Sequence, residues 1–236
     1  MSGKLYLIPT PIDGESKLCE ENFKLLFNAC LNKENSVFAV EDPKPARRAW
    51  IRFGLDRGFI DDFVYYNEQT RAKVLGSLIK LLKQGKNVYL MSDCGLPAFC
   101  DPGVRLVNNC HESGIVVTAG KFNNSVVLAL ALSGFSHDKF NFYGFAPRKA
   151  PEREIEILDF LRCRYTSIIM DTPYRLEKLL SEIRVIEAKN NISNTYLLAM
   201  DLNKSTERLL RGKMDQIKSM LTFDKKSEFI LVRDQL

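Results

Sequence analysis

Short runs of β-branched and aromatic residues alternate along this chain with segments of helical periodicity. That alternation constrains the fold more than any other feature. Strands separated by amphipathic helices build an α/β protein, parallel where the helices intervene regularly. Residues 4–8 read as the first strand. In 20–31 the apolar residues Phe23, Leu26, Phe27 and Cys30 fall on one helix face. Residues 37–40 read as a strand and 46–53 as a short helix. Residues 71–84 form a stronger helix, striped by Val74, Leu78, Leu81 and Leu82 and stopped by Gly85. Strands at 88–91 and 115–118 enclose a helix at 104–113. Beyond a very apolar helix at 125–132, strands are expected at 139–143, 166–170, 195–200 and 229–232, and helices at 152–162, 174–188 and 214–221. The first half reads as a parallel layer, and the second ends in strands that can pair antiparallel. The polar stretch AGKFNN marks the boundary. Two α/β domains follow, 1–119 with a parallel sheet and 120–236 with a mixed one, and a ligand cleft between them is the expected architecture.

Composition removes several classes. The longest strictly apolar run is Val126–Leu132, far short of the ~20 residues of a membrane helix. The opening MSGKLYLIPT lacks the apolar length of an export signal, so a cytoplasmic protein with reduced thiols is expected. Six cysteines without CxxC spacing and only two histidines leave no zinc pattern, and no metal is expected. A net charge of +5 leans mildly toward anionic partners. GxGxxG, GxxxxGK[ST] and GxSxG are all missing, so dinucleotide enzymes, P-loop ATPases and serine hydrolases have no support.

The loop SDCGLPAFCDPG, residues 92–103, is the most informative segment. It follows a buried-strand pattern and precedes a helix, the position at which open α/β sheets hold ligands. Gly95 and Gly103 permit close backbone approach, and Pro97 and Pro102 fix the loop's shape. A purely structural turn, with Asp93 and Asp101 as helix caps, reads these residues equally simply.

LYLIPTPIDG, EDPKPARRAWIRFGL, VYLMSDCGLPAFCDPGVRLV, ALALSGF, FYGFAPRK, MDTPYRLEKLL and ERLLRG occur in this order. Together they resemble the small-subunit ribosomal RNA (cytidine 2′-O)-methyltransferase family of the tetrapyrrole-methylase superfamily, over about residues 5–232. The central loop is close to that family's SDAGTPGISDPG, and DTPYR to its ESPHR. The resemblance implies two α/β domains, a homodimer, and S-adenosylmethionine bound in the cleft by strand-end loops. Carried over by position, the cofactor-binding residues are Pro9, Asp93, Gly95, Leu96, Asn124, Ser125, Met170, Asp171, Thr172, Ala199 and Met200. By periodicity alone, Met170, Ala199 and Met200 read as core. The substrate implied is a ribose 2′-hydroxyl of small-subunit RNA.

Methyl transfer to a hydroxyl gains from a base. Glu68, Asp93 and Asp101 are the candidates, with Glu68 matching the family's HEHN site in type. Lys44, Arg47, Arg48 and Arg52 form one basic group, and Arg148, Lys149, Arg153, Arg162 and Arg164 another. Lys44, Arg47, Arg48, Arg148 and Lys149 are the expected RNA contacts. The chain departs from the family where Phe122–Ser125 replaces Gly-Pro-Ser-Ser, where Cys94, Leu96 and Ala98 replace Ala, Thr and Gly, and where NEQT has lost its histidines. A small-molecule methyltransferase and a cofactor-binding homologue without turnover therefore stand as alternatives.

Overall fold

The computed structural model describes residues 2–222 and 226–235, and the chain divides into two compact units, Met1–Asn124 and Ser125–Leu236. In the first, the strands β1 (Leu5–Leu7), β2 (Ser36–Val40), β3 (Val64–Tyr65), β4 (Asn87–Met91) and β5 (Val117–Ala119) form one all-parallel sheet in the order β3-β2-β4-β1-β5. The helices between them are α1 (Glu20–Leu31), α2 (Pro43–Arg52), α3 (Arg71–Lys83) and α4 (Gly103–Glu112). From β1 to β3 the chain steps one way across the sheet, and from β3 to β5 it steps back. Right-handed crossovers then place α1 and α2 on one face and α3 and α4 on the other. The core agrees: Leu26 and Ala29 of α1 and Ala46 and Trp50 of α2 pack with Ile8, Phe38, Val40, Tyr89 and Met91.

The reversal has a consequence for function. The connection leaving β2 runs away from β4, and the one leaving β4 runs away from β2. Their carboxyl ends flank a topological switch point, where open α/β sheets leave a crevice.

The second unit holds a mixed sheet in the order β6-β7-β10-β8-β9, built from β6 (Phe140–Phe145), β7 (Thr166–Met170), β8 (Tyr196–Met200), β9 (Arg208–Gly212) and β10 (Phe229–Arg233). β6 and β7 are parallel, and β10 runs antiparallel to β7 and β8. The helices α6 (Glu152–Arg162), α7 (Leu176–Asn190) and α8 (Met214–Ser219) bury one face of the sheet, and α5 (Ser125–Ser133) packs against β10 and β8. β7 and β8 are parallel to each other across β10, so their carboxyl ends lie at one edge.

Expected and observed elements differ in instructive places. α2 begins at Pro43, because the Asp42 carboxylate accepts from Lys44 N at 3.1 Å and proline suits a first turn. A 3₁₀ turn at Pro173–Arg175 precedes α7. β3 and β9 have no counterpart in the sequence reading. β3 has only two residues, and β9 is a half-buried edge strand with arginines in it. Among the described residues no helix is long and apolar enough to cross a membrane, and no group of three His, Cys, Asp or Glu could hold a metal ion.

Candidate functional site

Strand ends in the first unit bring Pro9, Asp93, Gly95 and Leu96 together. Beyond β1, Thr10 N donates to Gly95 O at 2.8 Å and Gly95 N returns a bond to Thr10 O at 3.2 Å. This bridge stitches the loop after β1 to the loop after β4. Gly95 sits at φ +80 with no atom near the place of a Cβ, so its left-handed backbone faces open space. Pro9 is held from behind. The buried Asn22 side chain donates to Pro9 O and Lys121 O, both at 3.2 Å, and accepts from Lys121 N at 2.6 Å. One amide on α1 thereby fixes the ends of β1 and β5. Its partners are 13 and 99 residues away, so no local pattern could have singled it out.

At the switch point itself, Asp93 N donates to Glu41 Oε2 and Asp42 N donates to Asp93 Oδ1, both at 3.3 Å. Partial burial, followed by the nearby Glu41 and Asp42 charges, lifts the Asp93 carboxyl above its usual value. Beside it lies a small cavity of about 10 Å³ lined by Glu41, Tyr66, Ser92, Asp101 and adjoining residues. One water needs roughly 10–15 Å³, so this cavity has room for about one water-sized polar group.

Asp101 acts as the helix cap expected of it. Its Oδ1 accepts from Ala98 N at 2.8 Å and Gly103 N at 2.7 Å, clamping the loop and starting α4. Burial pushes its carboxyl up to about 6, against those two bonds, with Glu41 adding to the rise. Ala98 and Cys100 both hold left-handed backbone, at φ 62 and 57. Such a conformation costs a non-glycine residue about 1–2 kcal/mol. The glycine of the resembled pattern at the Ala98 position thus has a conformational reason.

Glu68 lies elsewhere, on the exposed turn after β3. Both of its oxygens meet Arg71 at 2.6 Å. Asn67 accepts from Gln69 N and Thr70 N and donates to Glu41 O, so NEQT builds the entry to α3.

In the second unit, Met170, Asp171 and Thr172 end β7, and Ala199 and Met200 end β8 at the same edge of the sheet, two strand spacings or about 10 Å away. Met200 and Ala199 are buried, and Met200 belongs to the core. Asp171 is 2% exposed and meets Arg153, 3% exposed, at 2.8 Å. Arg153 also donates to Glu182 at 2.7 Å and to Pro147 O at 2.8 Å. Of the basic group that contains Arg148 and Lys149, Arg153 is thus interior and committed to carboxylates. Of the basic group on α2, Arg52 donates to Ser16 O and Gly14 O and pins the loop before α1. Asn124 ends the first unit and Ser125 opens α5, both exposed.

Lys44, Arg47 and Arg48 recur at i, i+3 and i+4 on the exposed face of α2, opposite Ala46 and Trp50. Arg148 and Lys149 are exposed in the turn after β6.

No protein-family model matches the chain. Among curated proteins, the ribosomal RNA small subunit methyltransferase I of Halalkalibacterium halodurans is 29% identical over 214 residues, covering 91% of this chain and 69% of that protein. The protein of the same name from Bacillus subtilis is 29% identical over 231 residues, 98% of this chain and 74% of its own. A crystal structure of uroporphyrin-III C-methyltransferase from Thermus thermophilus, complexed with S-adenyl homocysteine, aligns with 98% of this chain and 97% of its own at a TM-score of 0.37 and 15% identity. With its motifs in the same order and the likeness covering 91% and 98% of its residues, the chain is similar to proteins named ribosomal RNA small subunit methyltransferase I.

Proposed function

We propose that this chain is an S-adenosylmethionine-dependent methyltransferase, working as a cytoplasmic homodimer, whose substrate is a ribose 2′-hydroxyl of small-subunit ribosomal RNA. The observation that carries this reading is the similarity, over 91% and 98% of this chain, to two proteins named as ribosomal RNA small subunit methyltransferases. The residues of the first unit fit the cofactor chemically. The sulfonium is cationic, and Glu41, Asp42 and Asp93 gather carboxylates at the switch point. The backbone of the Thr10–Gly95 bridge and the open space at Gly95 suit a nucleoside laid against the loop.

The cofactor supplies an already activated methyl group, so the chain's own residues chiefly orient and exclude water. Alignment of this kind is worth up to ~7–11 kcal/mol. A ribose hydroxyl must also lose its proton. Asp101 is the better acceptor, because it lies half-buried beside the cavity with a carboxyl pushed up to about 6. Glu68 is engaged on both oxygens by Arg71. In this reading Lys44, Arg47, Arg48, Arg148 and Lys149 hold phosphates, and the loops ending in Pro9, Asp93, Gly95, Leu96, Asn124, Ser125, Met170–Thr172 and Ala199–Met200 hold the cofactor.

The test is transfer of a radiolabelled methyl group to small-subunit RNA and to assembled subunits, with digestion to locate the label. Label in a 2′-O-methyl nucleoside is expected. Asp101→Asn should slow transfer ~10²–10⁴-fold with cofactor binding kept. In the wild type the rate should rise tenfold per pH unit below about 6 and level off above it. Cofactor binding without transfer to either substrate would replace this reading with that of a cofactor-binding homologue.

A further inference from the structure

A row of phenylalanines on β6 has no part in the site described above. β6 is an edge strand, and Phe140, Phe142 and Phe145 are 36%, 52% and 65% exposed. Side chains alternate along a strand, so Phe140 and Phe142 share a face, and Phe145 would fall on the other. An irregularity between Phe142 and Gly144, with Gly144 at φ +69, resets the phase. Phe140, Phe142 and Phe145 consequently register with Thr166, Ile168 and Met170, and all three rings stand on one face. That face is opposite the one covered by α6 and α7, since Ile169, not Ile168, packs into their core. The first two rings are two residues apart, roughly 7 Å.

Cations bracket the row. Lys139 and Arg164 lie over the Tyr165 ring at one end, at 5.8 and 6.0 Å. Arg148 and Lys149 are exposed at the other end. The acidic residues Glu152, Glu154, Glu156 and Asp159 belong to α6, on the opposite face, where Asp159 accepts from Tyr143 of β6 at 2.9 Å, and Asp138 precedes the strand.

We propose that this face of β6 is a stacking platform for single-stranded RNA, with the rings taking unstacked bases and the four cations taking phosphates. The proposal rests on the ribosomal RNA reading above and names a surface for it. Aromatic rings with flanking cations bind single strands in this way, because every base has a π-face. A second copy of the chain fits less well. Fully burying a phenylalanine removes about 150–250 Å², so the exposed parts of these three sum to about 300 Å², well under the ~800 Å² per partner of a standard interface. Antiparallel pairing of β6 with itself would also bring cation against cation.

The test is fluorescence anisotropy of a labelled single-stranded RNA of about 12 nucleotides. The proteins are the full-length wild type, Phe142→Ser with Phe145→Ser, and Phe142→Tyr. Both positions are exposed, and melting curves check that each variant is folded. The double variant should bind about 10- to 1,000-fold more weakly and Phe142→Tyr within about 3-fold of wild type, as expected for stacking. The slope of log Kd against log salt should stay unchanged, because no cation is removed. Equal RNA affinity in the double variant overturns the platform. So does loss of self-association in sedimentation with RNA affinity intact, which would assign the row to a second copy. Methyl transfer by the wild type is read separately. If it proceeds while the double variant binds RNA normally, the platform alone fails; if the wild type neither binds nor methylates RNA, both readings fail.

Discussion

Arg153 and Asp171 are a buried ion pair of the second unit. Asp171 follows β7 within DTPYR, and Arg153 opens α6. Arg153 Nη2 and Asp171 Oδ2 are buried without a hydrogen-bond partner, so the contact between the two side chains relies on charge more than on bond geometry. Removing one partner of such a pair strands the other charge, at about 3–5 kcal/mol. Arg153→Met should lower urea-measured stability by that amount, and Arg153→Met with Asp171→Leu should recover most of it. A loss below about 1 kcal/mol in the single variant would mean the carboxylate finds water. Asp101 gives a pH-dependent case. Its folded carboxyl is raised from 3.8 to about 6, so between those values the folded state holds more proton than the unfolded state. Stability contributed by this group is therefore full below about 3.8 and falls as pH rises through about 6, by about 3 kcal/mol at most. In Asp101→Asn the amide oxygen still accepts from Ala98 and Gly103, and that fall should vanish. Parallel stability profiles of the two proteins between pH 4 and pH 7 would refute the assignment.

At the scale of elements, helices with clear periodicity were legible to within a residue. α1 and α6 have the expected bounds because their apolar spacing and their end residues agree. β3 and β9 were not, since a two-residue strand carries no period and an edge strand with arginines looks like a loop. For the candidate site, the strand-to-loop junctions were visible because a strand must stop where the loop begins. What holds those junctions was not: Asn22, the Thr10–Gly95 bridge, and Tyr66 beside the cavity all depend on partners distant in sequence. The glycines of the central loop differ in a testable way. A Cβ on Gly103 would lie 2.8 Å from Asp101 Oδ1, 2.9 Å from Ala98 N and 2.9 Å from Leu90 Cδ2. Two of these atoms belong to the clamp that starts α4, so Gly103→Ala should cost about 1–3 kcal/mol. Gly95 meets nothing, and asparagine tolerates its left-handed backbone, so Gly95→Asn should stay within about 1 kcal/mol of wild type. Denaturant midpoints of the two variants check the order.

Across the whole molecule, a net charge of +5 says little until the cations are placed. Arg153 and Arg52 are spent inside the fold, on carboxylates and on loop carbonyls. Lys44, Arg47 and Arg48 instead form an exposed stripe on the helix that begins where β2 ends, at the switch point. A distributed charge would give RNA binding that no local change could alter much. A stripe concentrates the effect, because each cation set against a phosphate releases counterions. Lys44→Ala with Arg47→Ala and Arg48→Ala should flatten the dependence of log Kd on log salt by about 2, at ~0.7 per phosphate for a single strand. The Phe142→Ser, Phe145→Ser protein should keep the wild-type slope and bind more weakly at every salt concentration. Anisotropy titrations of the three proteins across a salt series separate the two effects. Parallel lines for the triple variant and the wild type would show that the α2 stripe is merely solvated and that phosphates are held elsewhere.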